Sequence, residues 1–477
     1  MTTDQPAPLA AVVLAAGLGT RMRSRLPKVL HPLCGRPMLA YVIDAAARAT
    51  SARPLVVISP AMLAIREAFA SQADFAIQEE PRGTADALRT AVDALPDGIE
   101  ELVVLSGDVP LVDAGLISEL ADARRASAAA VALVSVDVAE PGHLGRVIRD
   151  ARGRVQRIVE AKDAGSEELT VDEVNAGLYA FEMAWLRRRL PDVAPSAVTG
   201  EVYLPELVRL ARADDRPVAA IVVEDDGTLL GINDRAELAD AEVEMRLRIN
   251  ERHMRAGVTM LDPASTFVDA LVEIAEDVVL ESGVTLGGAT RIGRDSRIRT
   301  GSQVHDTVIG ERCVVWASVL ESSVVDSDVT IGPFAHVRGG AHIGEGVQLG
   351  NFAEVKNSRV GRGTKSHHFS YLGDADVGER VNIGAGTITA NFDGVRKHRT
   401  RIGDAAFIGS DTILRAPVEV GEGAITGAGA VVTRDVPAGT IAVGVPARIR
   451  EPRAEGPSVE PRAPGGITSA PEDARDR

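Results

Sequence analysis

The first half of the chain alternates short apolar runs with alanine-rich segments whose apolar residues have helical spacing. From residue 9 to about residue 230, runs such as LAAVVLAAG, PLVVIS, ELVVLSGDVPL and AAAVALVSV alternate with segments such as MLAYVIDAAARA. Short β-rich runs separated by helices predict a mostly parallel sheet covered on both faces. We therefore predict a Rossmann-like α/β domain whose ligands lie at the carboxyl ends of the strands.

A helix is predicted directly after this half, in the segment DRAELADAEVEMRLRINERHMRAG. Its apolar positions follow helical spacing at Leu238, Ala241, Met245 and Ile249. Gly257 stands where a helix of this length would end. The segment is predicted to be a linker helix between two domains.

The remaining chain has an apolar residue at every sixth position over long stretches. The series are Val268, Ile274, Leu280, Leu286, Ile292, Ile298 and Val304; Val319, Val325, Ile331, Val337, Ile343, Leu349 and Val355; and Ile402, Ile408, Leu414 and Val420. Neither a helix nor an ordinary strand has a period of six, whereas a parallel β-helix does. We expect each of these residues to point inward, and we expect the chain to bulge outward at residues 358–368 and 391–400, where the period breaks.

These patterns divide the chain into four predicted parts. They are an α/β domain at 1–232, a linker helix at 233–257, a β-helix at 258–452 and a disordered tail at 453–477, which is rich in Pro, Glu, Arg and Ala.

Charge and composition narrow the class of protein. A net charge of −16 argues against nucleic acid or an anionic membrane as a general partner. The two cysteines, Cys34 and Cys313, have no metal-ligand spacing and suggest a reducing compartment. The N-terminus lacks the basic start and apolar run of a signal peptide, and no later stretch is apolar enough to span a bilayer. We expect a cytoplasmic protein.

Lysine is rare in this chain, which has 52 basic residues but only five lysines: Lys28, Lys162, Lys356, Lys365 and Lys397. Arginine is a wide planar fork, whereas lysine is a compact point charge on a flexible stem. A lysine that is present despite this strong preference for arginine indicates a position where a guanidinium would not fit. Each lysine taken separately could also be present by chance.

The segment LAAGLGTRMRSRLPKVL follows the first apolar run and combines a glycine-rich turn with basic side chains, a combination suited to phosphate. The order of Gly17, Gly19, Thr20, Arg21, Pro27 and Lys28 resembles the signature of sugar-nucleotide pyrophosphorylases. Further matches lie in QEEPRGTADAL, SGDVPL, GRVIR, IVEAKDA, VNAG and GIND.

The resemblance implies attack of a sugar phosphate on the α-phosphorus of UTP, with Lys28 and Arg21 beside the phosphates. The implied nucleotide-binding residues are Leu14, Ala15, Ala16, Gly17, Lys28, Gln78, Gly83 and Thr84. Gly145, Glu160, Asn175 and Asn233 would bind the sugar. Asp108 and Asn233 would hold Mg²⁺, which prefers such oxygen ligands.

Three of the five lysines and four of the seven asparagines lie between residues 351 and 397, inside the predicted β-helix. This concentration of polar side chains indicates that the β-helix contains a functional site of its own. GPFAHVRGGAHIGEGVQLGNFAEVKNS and KSHHFSYLGDADVGERVNIGAGTITANFDGVRKHRT resemble the bifunctional N-acetylglucosamine-1-phosphate uridylyltransferase and glucosamine-1-phosphate N-acetyltransferase family. This resemblance extends from about residue 9 to residue 450. It implies a left-handed β-helix, a homotrimer, acetyl-CoA as co-substrate and a product used as a precursor of peptidoglycan and lipopolysaccharide.

Histidine titrates in the range that a general base for acetyl transfer needs. Two neighbours compete, and the family's histidine, three residues before the tyrosine of YLGDA, selects His368 over His367. Because neighbours on one strand face opposite ways, only one of the two is expected to reach the substrate. The implied glucosamine-phosphate ligands are Arg338, Lys356, Tyr371, Asn382 and Lys397. The implied acetyl-CoA contacts are Ala385, Asn391, Ser410, Ala428 and Arg448.

This chain departs from the family's usual residues at Leu144, Ala176, Gly339 and Phe392. Two other interpretations of the β-helix stay open at the level of sequence. It could belong to a uridylyltransferase that has lost acetylation, or it could be a trimerising or regulatory scaffold. The segment with Lys356, His368, Asn382 and Lys397 argues against a scaffold, which has no need of it.

Overall fold

The computed structural model describes residues 9–17, 19–224 and 227–451, so the predicted disordered tail lies outside the described residues. Contacts divide the chain into two compact units. The first extends to Ile292 and includes Gln303–Asp306; the second comprises Gly293–Ser302 and the chain from Thr307 onward. The predicted domain limits at residues 232 and 257 do not coincide with this division and remain predictions.

The first unit contains a predominantly parallel sheet. Its strands and a small hairpin are β1 (Leu9–Leu14), β2 (Pro32–Leu33), β3 (Arg36–Pro37), β4 (Leu55–Ile58), β5 (Asp74–Ile77), β6 (Glu101–Ser106), β7 (Val131–Asp137), β8 (Arg146–Arg149), β9 (Val155–Val159), β10 (Glu173–Glu182) and β11 (Val218–Glu224). The sheet order is β11-β7-β10-β6-β1-β4-β5, and β10 is antiparallel to both of its neighbours in this order. The start of β10 therefore lies at the same edge as the carboxyl ends of β6 and β7.

Helices cover both faces of this sheet, which confirms the predicted Rossmann-like class. They are α1 (Met38–Thr50), α2 (Leu63–Phe69), α3 (Thr84–Ala94), α4 (Ala114–Ala126), α5 (Met183–Arg189), α6 (Glu206–Ala213) and α7 (Arg235–Arg255), with 3-10 turns at Thr20–Met22, Lys28–Leu30, Pro60–Met62, Glu168–Thr170, Leu190–Asp192 and Pro263–Ser265. Two hydrophobic cores lie on opposite faces of the sheet, and alternate residues of β1 pack into one or the other. Val13 packs with Leu39 of α1, and Val12 packs in the cluster that contains Leu88 of α3.

Helix α7 begins at an Asp234 cap, whose side chain accepts hydrogen bonds from two backbone N–H groups of the first turn. Its buried side includes Ala241, Met245 and Ile249, as the spacing predicted. Gly257 follows with φ 98°, a conformation that favours glycine and ends the helix. The amide of Asn250 donates to backbone carbonyls of the first β-helix coil, so the helix and this coil form one packed structure within the first unit.

Short parallel strands build the β-helix. In the first unit they are Thr259–Met260, Phe267–Val268, Glu273–Ile274, Val279–Leu280, Thr285–Gly287, Arg291–Ile292 and Gln303–His305. In the second unit, face 1 contains Arg297–Ile298, Val314–Val315, Thr330–Ile331, Gln348–Leu349, Lys365–Ser366, Asn382–Ile383, Phe407–Ile408, Ile425–Thr426, Ile441–Val443 and Arg448–Arg450. Face 2 contains Val319–Glu321, His336–Arg338, Ala353–Lys356, Ser370–Gly373, Ile388–Ala390, Ile413–Arg415 and Val431–Val432. Face 3 contains Val308–Ile309, Val324–Val325, His342–Ile343, Arg359–Val360, Ala375–Val377, Thr400–Ile402 and Val418–Val420.

The six-residue series predicts most of the β-helix core, since all but two of its members are buried. One exception is Val319, which is half-buried, while Leu320 is fully buried, so the prediction for Val319 was wrong by one residue. Several sides of the helix have five residues rather than six, which shifts the inward position by one. Ile274, the other exception, is half-buried as well.

Of the two predicted bulges, one is confirmed and one is wrong. Residues 391–400 leave the coil between strands Ile388–Ala390 and Thr400–Ile402, with a bridge from Phe392 to Lys397. Residues 358–368 stay in the coil instead. Their inward residue on face 1 is the buried Ser366, whose hydroxyl forms a hydrogen bond with that of Ser370 at 2.8 Å. Because this inward position is polar, the apolar series is interrupted here although the coil is regular.

Candidate active sites

The turn after β1 carries the first predicted site. Gly19 has a left-handed backbone (φ 59°), and a side chain on it would collide with Lys28. Glycine alone allows both the conformation and this close approach. Lys28 thereby lies directly against the phosphate-binding turn that the sequence predicted.

The Lys28 ammonium is the centre of a group of polar side chains. It forms an ion pair with the carboxylate of Asp108, and its Nζ lies 3.2 Å from Oδ1 of Asn233. The hydroxyl of Ser106 donates to the other carboxylate oxygen of Asp108 at 2.6 Å. Asp108 follows β6, and Asn233 immediately precedes the cap of α7, so the sheet edge brings these distant positions together.

Arg21 lies on the exposed side of the same group. Its Nη2 donates to Oδ1 of Asn233 at 2.8 Å, and its Nη1 lies 2.9 Å from Nε2 of His143. Two cations, Lys28 and Arg21, thus share the Asn233 amide oxygen. An anionic ligand at this edge would meet positive charge from both.

Asp108 and Asn233 fit the predicted magnesium site. Both offer oxygen atoms, and both oxygens contact the Lys28 ammonium, which shows that the pair already attracts a cation. Among the described residues there is no cluster of three acidic, histidine or cysteine side chains that could hold a metal.

A cavity of about 500 Å³ opens beside the turn. Its lining includes Leu14, Ala15, Ala16, Gly17, Lys28, Gln78, Gly83, Thr84 and Asp108. The predicted nucleotide-binding residues therefore surround one space. Gln78 is almost fully buried, and its amide nitrogen donates to Asp86 at 2.8 Å, which holds the amide in one orientation.

Three of the four residues predicted to bind the sugar, Gly145, Glu160 and Asn175, also lie together. The backbone N–H of Asn175 donates to the carbonyl of Gly145 at 2.9 Å, and Gly145 lies beside Glu160, since a Cβ at Gly145 would be 3.5 Å from Oε1 of Glu160. Burial, with added repulsion from Asp163 and Glu201, raises the pKa of the Glu160 carboxyl.

The second predicted site lies on the β-helix, at the corner where each coil turns from face 1 to face 2. His368, Ala385, Ser410 and Ala428 occupy this corner in successive coils. Neighbouring coils are tied there by backbone hydrogen bonds, from Asp411 to Ala385 and from Gly429 to Ser410. Three of the five predicted acetyl-CoA contacts therefore form one line that begins at the predicted base.

Face 2 and its corner with face 3 present the predicted phosphate ligands. Arg338 and Lys356 are neighbours in adjacent strands, and Tyr371 lies one coil further on. The charge of Lys397, then that of Arg338, lowers the pKa of the Lys356 ammonium, because three cations converge there. Such a cluster suits a doubly charged phosphate.

The remaining predicted ligands lie elsewhere on the chain. Asn382 is on face 1 beside Lys365 and Phe407, so one chain does not bring it to the face 2 cations. Asn391, a predicted acetyl-CoA contact, is buried with its amide bonded to Asp374. Arg448 lies on an exposed antiparallel strand at the end of face 1.

The two histidines were expected to face opposite ways because they were expected to lie on one strand, and that position is wrong. His367 and His368 are both exposed and lie in the turn between strands Lys365–Ser366 and Ser370–Gly373, not on a strand. Side chains at a corner do not alternate as they do on a strand. His367 is distinguished instead by its ring nitrogen, which lies 2.8 Å from Oε1 of Gln348.

Sequence reasoning missed several residues of these sites: Ser106, His143, Glu354, Asn357 and Asp374. One signal was available for two of them. Asn357, Asp374 and Asn391 are separated by 17 residues each, which is one coil of the β-helix. Polar residues that repeat at this interval stack on one another.

The fold and the two sites define a class: an enzyme that joins a nucleotidyltransferase domain to a hexapeptide-repeat acyltransferase. Residues 11–171 match the MobA-like NTP transferase domain family, and residues 322–357 and 399–434 match the bacterial transferase hexapeptide family. In the described part of the chain, no helix is long and apolar enough to cross a membrane.

Proteins that are similar over nearly the whole chain extend this result. The bifunctional protein GlmU of Kineococcus radiotolerans is 44% identical over 93% of this chain and 91% of its own length. Those of Pelobacter propionicus and Streptococcus equi subsp. zooepidemicus are 42% and 43% identical, over 91% of this chain and 95% and 94% of their own lengths. The chain belongs to the family of bifunctional GlmU proteins. It is a uridylyltransferase and N-acetyltransferase of UDP-N-acetylglucosamine synthesis.

Proposed function

We propose that acetylation takes place on the β-helix and uridylyl transfer at the β1 turn, in that order. The amine of glucosamine 1-phosphate attacks the acetyl carbonyl carbon of acetyl-CoA, the thioester C–S bond breaks, and coenzyme A leaves as the thiol. His368 accepts the proton that the amine loses. Arg338, Lys356, Tyr371 and Lys397 hold the sugar phosphate, and Ala385, Asn391, Ser410, Ala428 and Arg448 are the acetyl-CoA contacts.

In the second step, a phosphate oxygen of N-acetylglucosamine 1-phosphate attacks the α-phosphorus of UTP, and pyrophosphate leaves. Gln78, Gly83 and Thr84 bind uracil, and Gly145, Glu160, Asn175 and Asn233 bind the sugar. Mg²⁺ held by Asp108 and Asn233 supplies charge neutralisation when it is bound. Lys28 and Arg21 neutralise the phosphates, and positioning supplies most of the catalysis.

The observation that carries this proposal is the contact of Lys28 with both Asp108 and Asn233, because it joins three separate motifs at one point. Pyrophosphate release tests it. We expect release from UTP with N-acetylglucosamine 1-phosphate and Mg²⁺, and a return to the blank rate with excess EDTA. Release that is undiminished by EDTA would contradict the metal assignment.

We further propose a cytoplasmic homotrimer that supplies the cell-wall precursor. Asn382 on face 1 cannot join the cations of face 2 in the same chain, so a site that contains both needs two neighbouring copies. The loop at 391–400 adds an apolar tip, since Phe392 and Val395 are 60% and 83% exposed. A single species with the mass of a monomer in light scattering, with full acetyl transfer, would contradict this assembly.

A further inference from the structure

Asp374 lies at the corner between faces 2 and 3, in the same stack of coils as the predicted phosphate ligands. Its side chain is 8% exposed. One carboxylate oxygen accepts a hydrogen bond from the amide of Asn357, and the other accepts one from the amide of Asn391, both at 2.5 Å. A single buried carboxylate thus joins three successive coils.

Each of these three residues is close in sequence to a predicted phosphate ligand. Asn357 follows Lys356, and Asp374 is three positions after Tyr371. Asn391 opens the loop that carries Lys397, and its amide nitrogen also lies 3.5 Å from the Tyr371 hydroxyl. The carboxylate therefore belongs to the segment that presents Tyr371 and is bonded to the segments that present Lys356 and Lys397.

Asp374 also balances charge. Lys356 faces the cations Lys397 and Arg338, whereas the nearby Glu354 forms an ion pair with Arg338. Among the described groups that act on Lys356, Asp374 supplies the opposing negative charge and supports its protonated form. A buried charge with two amide donors is stabilised without an ion pair of its own.

We propose that Asp374 is a positioning residue of the acetyltransferase: it assembles Lys356, Tyr371 and the Lys397 loop into a preformed site for the phosphate group of the sugar. This inference rests on the proposed residue roles of the β-helix site. It predicts that Asp374 affects KM for the sugar phosphate more than KM for acetyl-CoA, since Asn391 is only one of the five proposed acetyl-CoA contacts.

Asp374→Asn tests this with little disturbance of the backbone, because φ at this residue is 48° and asparagine tolerates that conformation. An amide at this position has one donor and one acceptor end, so one of the two asparagine donors loses its acceptor. We expect KM for glucosamine 1-phosphate to rise by about tenfold or more, with a clearly smaller rise in KM for acetyl-CoA. The matched control is Asp328→Asn, an exposed residue with φ 62° that pairs with Arg312, and it should behave as wild type.

The double variant Asp374→Asn/Asn357→Asp provides a rescue at a residue outside both proposed binding sets. Asn391 can donate to the new amide oxygen, and the new amide nitrogen can donate to the new carboxylate, so both hydrogen bonds and the negative charge return. We expect KM for glucosamine 1-phosphate to return most of the way to the wild-type value.

Uridylyl transfer reports on the fold, since its residues lie in the other unit, and a melting curve reports on the β-helix. A wild-type KM in Asp374→Asn, an equal rise for both substrates, a loss of folding, or no recovery in the double variant would each overturn the proposal. Wild-type thiol release is measured first, because its absence would refute the acetyltransferase itself and not the role of Asp374.

Discussion

The Lys28 ammonium forms an ion pair with the Asp108 carboxylate, although the two residues lie 80 positions apart. The pair is mostly buried, with 12% and 16% of the two side chains exposed, so little room remains for a larger cation. A guanidinium is wider and planar, so it would not place its charge where the compact ammonium lies.

We predict that Lys28→Arg lowers uridylyl transfer by roughly 10²-fold or more, because a charge displaced by about 1 Å loses its alignment. Acetyl transfer should stay near the wild-type rate. Pyrophosphate release and thiol release are the two measurements, and Lys365→Arg, an exposed lysine of the β-helix, is the control. Uridylyl transfer at the wild-type rate would show that a point charge is not required.

Because His367 and His368 lie at a corner of the coil, the reason for their predicted effects changes. His368→Ala should lower the rate of acetyl transfer by about 10²- to 10⁴-fold, the usual contribution of a general base. His367→Ala should have a small effect because its ring is bonded to Gln348. Free thiol is followed at saturating substrates; the reverse ranking would assign the base to His367.

Mixing inactive variants tests the shared site. Lys356→Ala and Asn382→Ala should each lose acetyl transfer, and subunits that are unfolded together and refolded as a mixture should regain it. If each site takes Lys356 from one copy and Asn382 from its neighbour, roughly a quarter of the sites in random trimers are intact. No recovery in correctly assembled mixtures would place both residues in one chain's site.

A histidine in helix α7 leads us to predict that the protein becomes less stable as the pH falls. Burial, then the charge of Arg252, lowers the pKa of His253 to about 4 from its ordinary value of 6.5. Between these values the unfolded chain binds a proton that the folded chain does not, so the free energy of unfolding falls as pH drops from about 6.5 to 4. His253→Gln removes this contribution. Its midpoint in urea should fall less between pH 7 and pH 5 than the wild-type midpoint, and equal falls would contradict the assignment.

Sequence patterns predicted the α/β class, helix α7 and most of the β-helix core, because each depends on a local period of apolar residues. They failed at Val319 and at residues 358–368. There, five-residue sides and a buried serine break the apolar period without breaking the coil.

The β1 turn site was predictable because short motifs placed Lys28, Asp108 and Asn233 at strand ends that meet at one sheet edge. The role of Asp374 was not predictable in this way, because it depends on Asn357 and Asn391 in the two neighbouring coils. A buried polar stack of this kind becomes visible only when the chain is aligned by coil rather than by motif.

Thiol release from acetyl-CoA tests the account most directly. The wild-type protein is incubated with glucosamine 1-phosphate and acetyl-CoA alone, without UTP, and free thiol is followed. The protein's own cysteines should contribute little, because Cys34 and Cys313 are buried and burial raises the pKa of both thiols. We predict thiol release that depends on the sugar phosphate, saturates with it and is lost in His368→Ala. Release no faster than in the blank without sugar would contradict the acetyltransferase and leave the β-helix a scaffold.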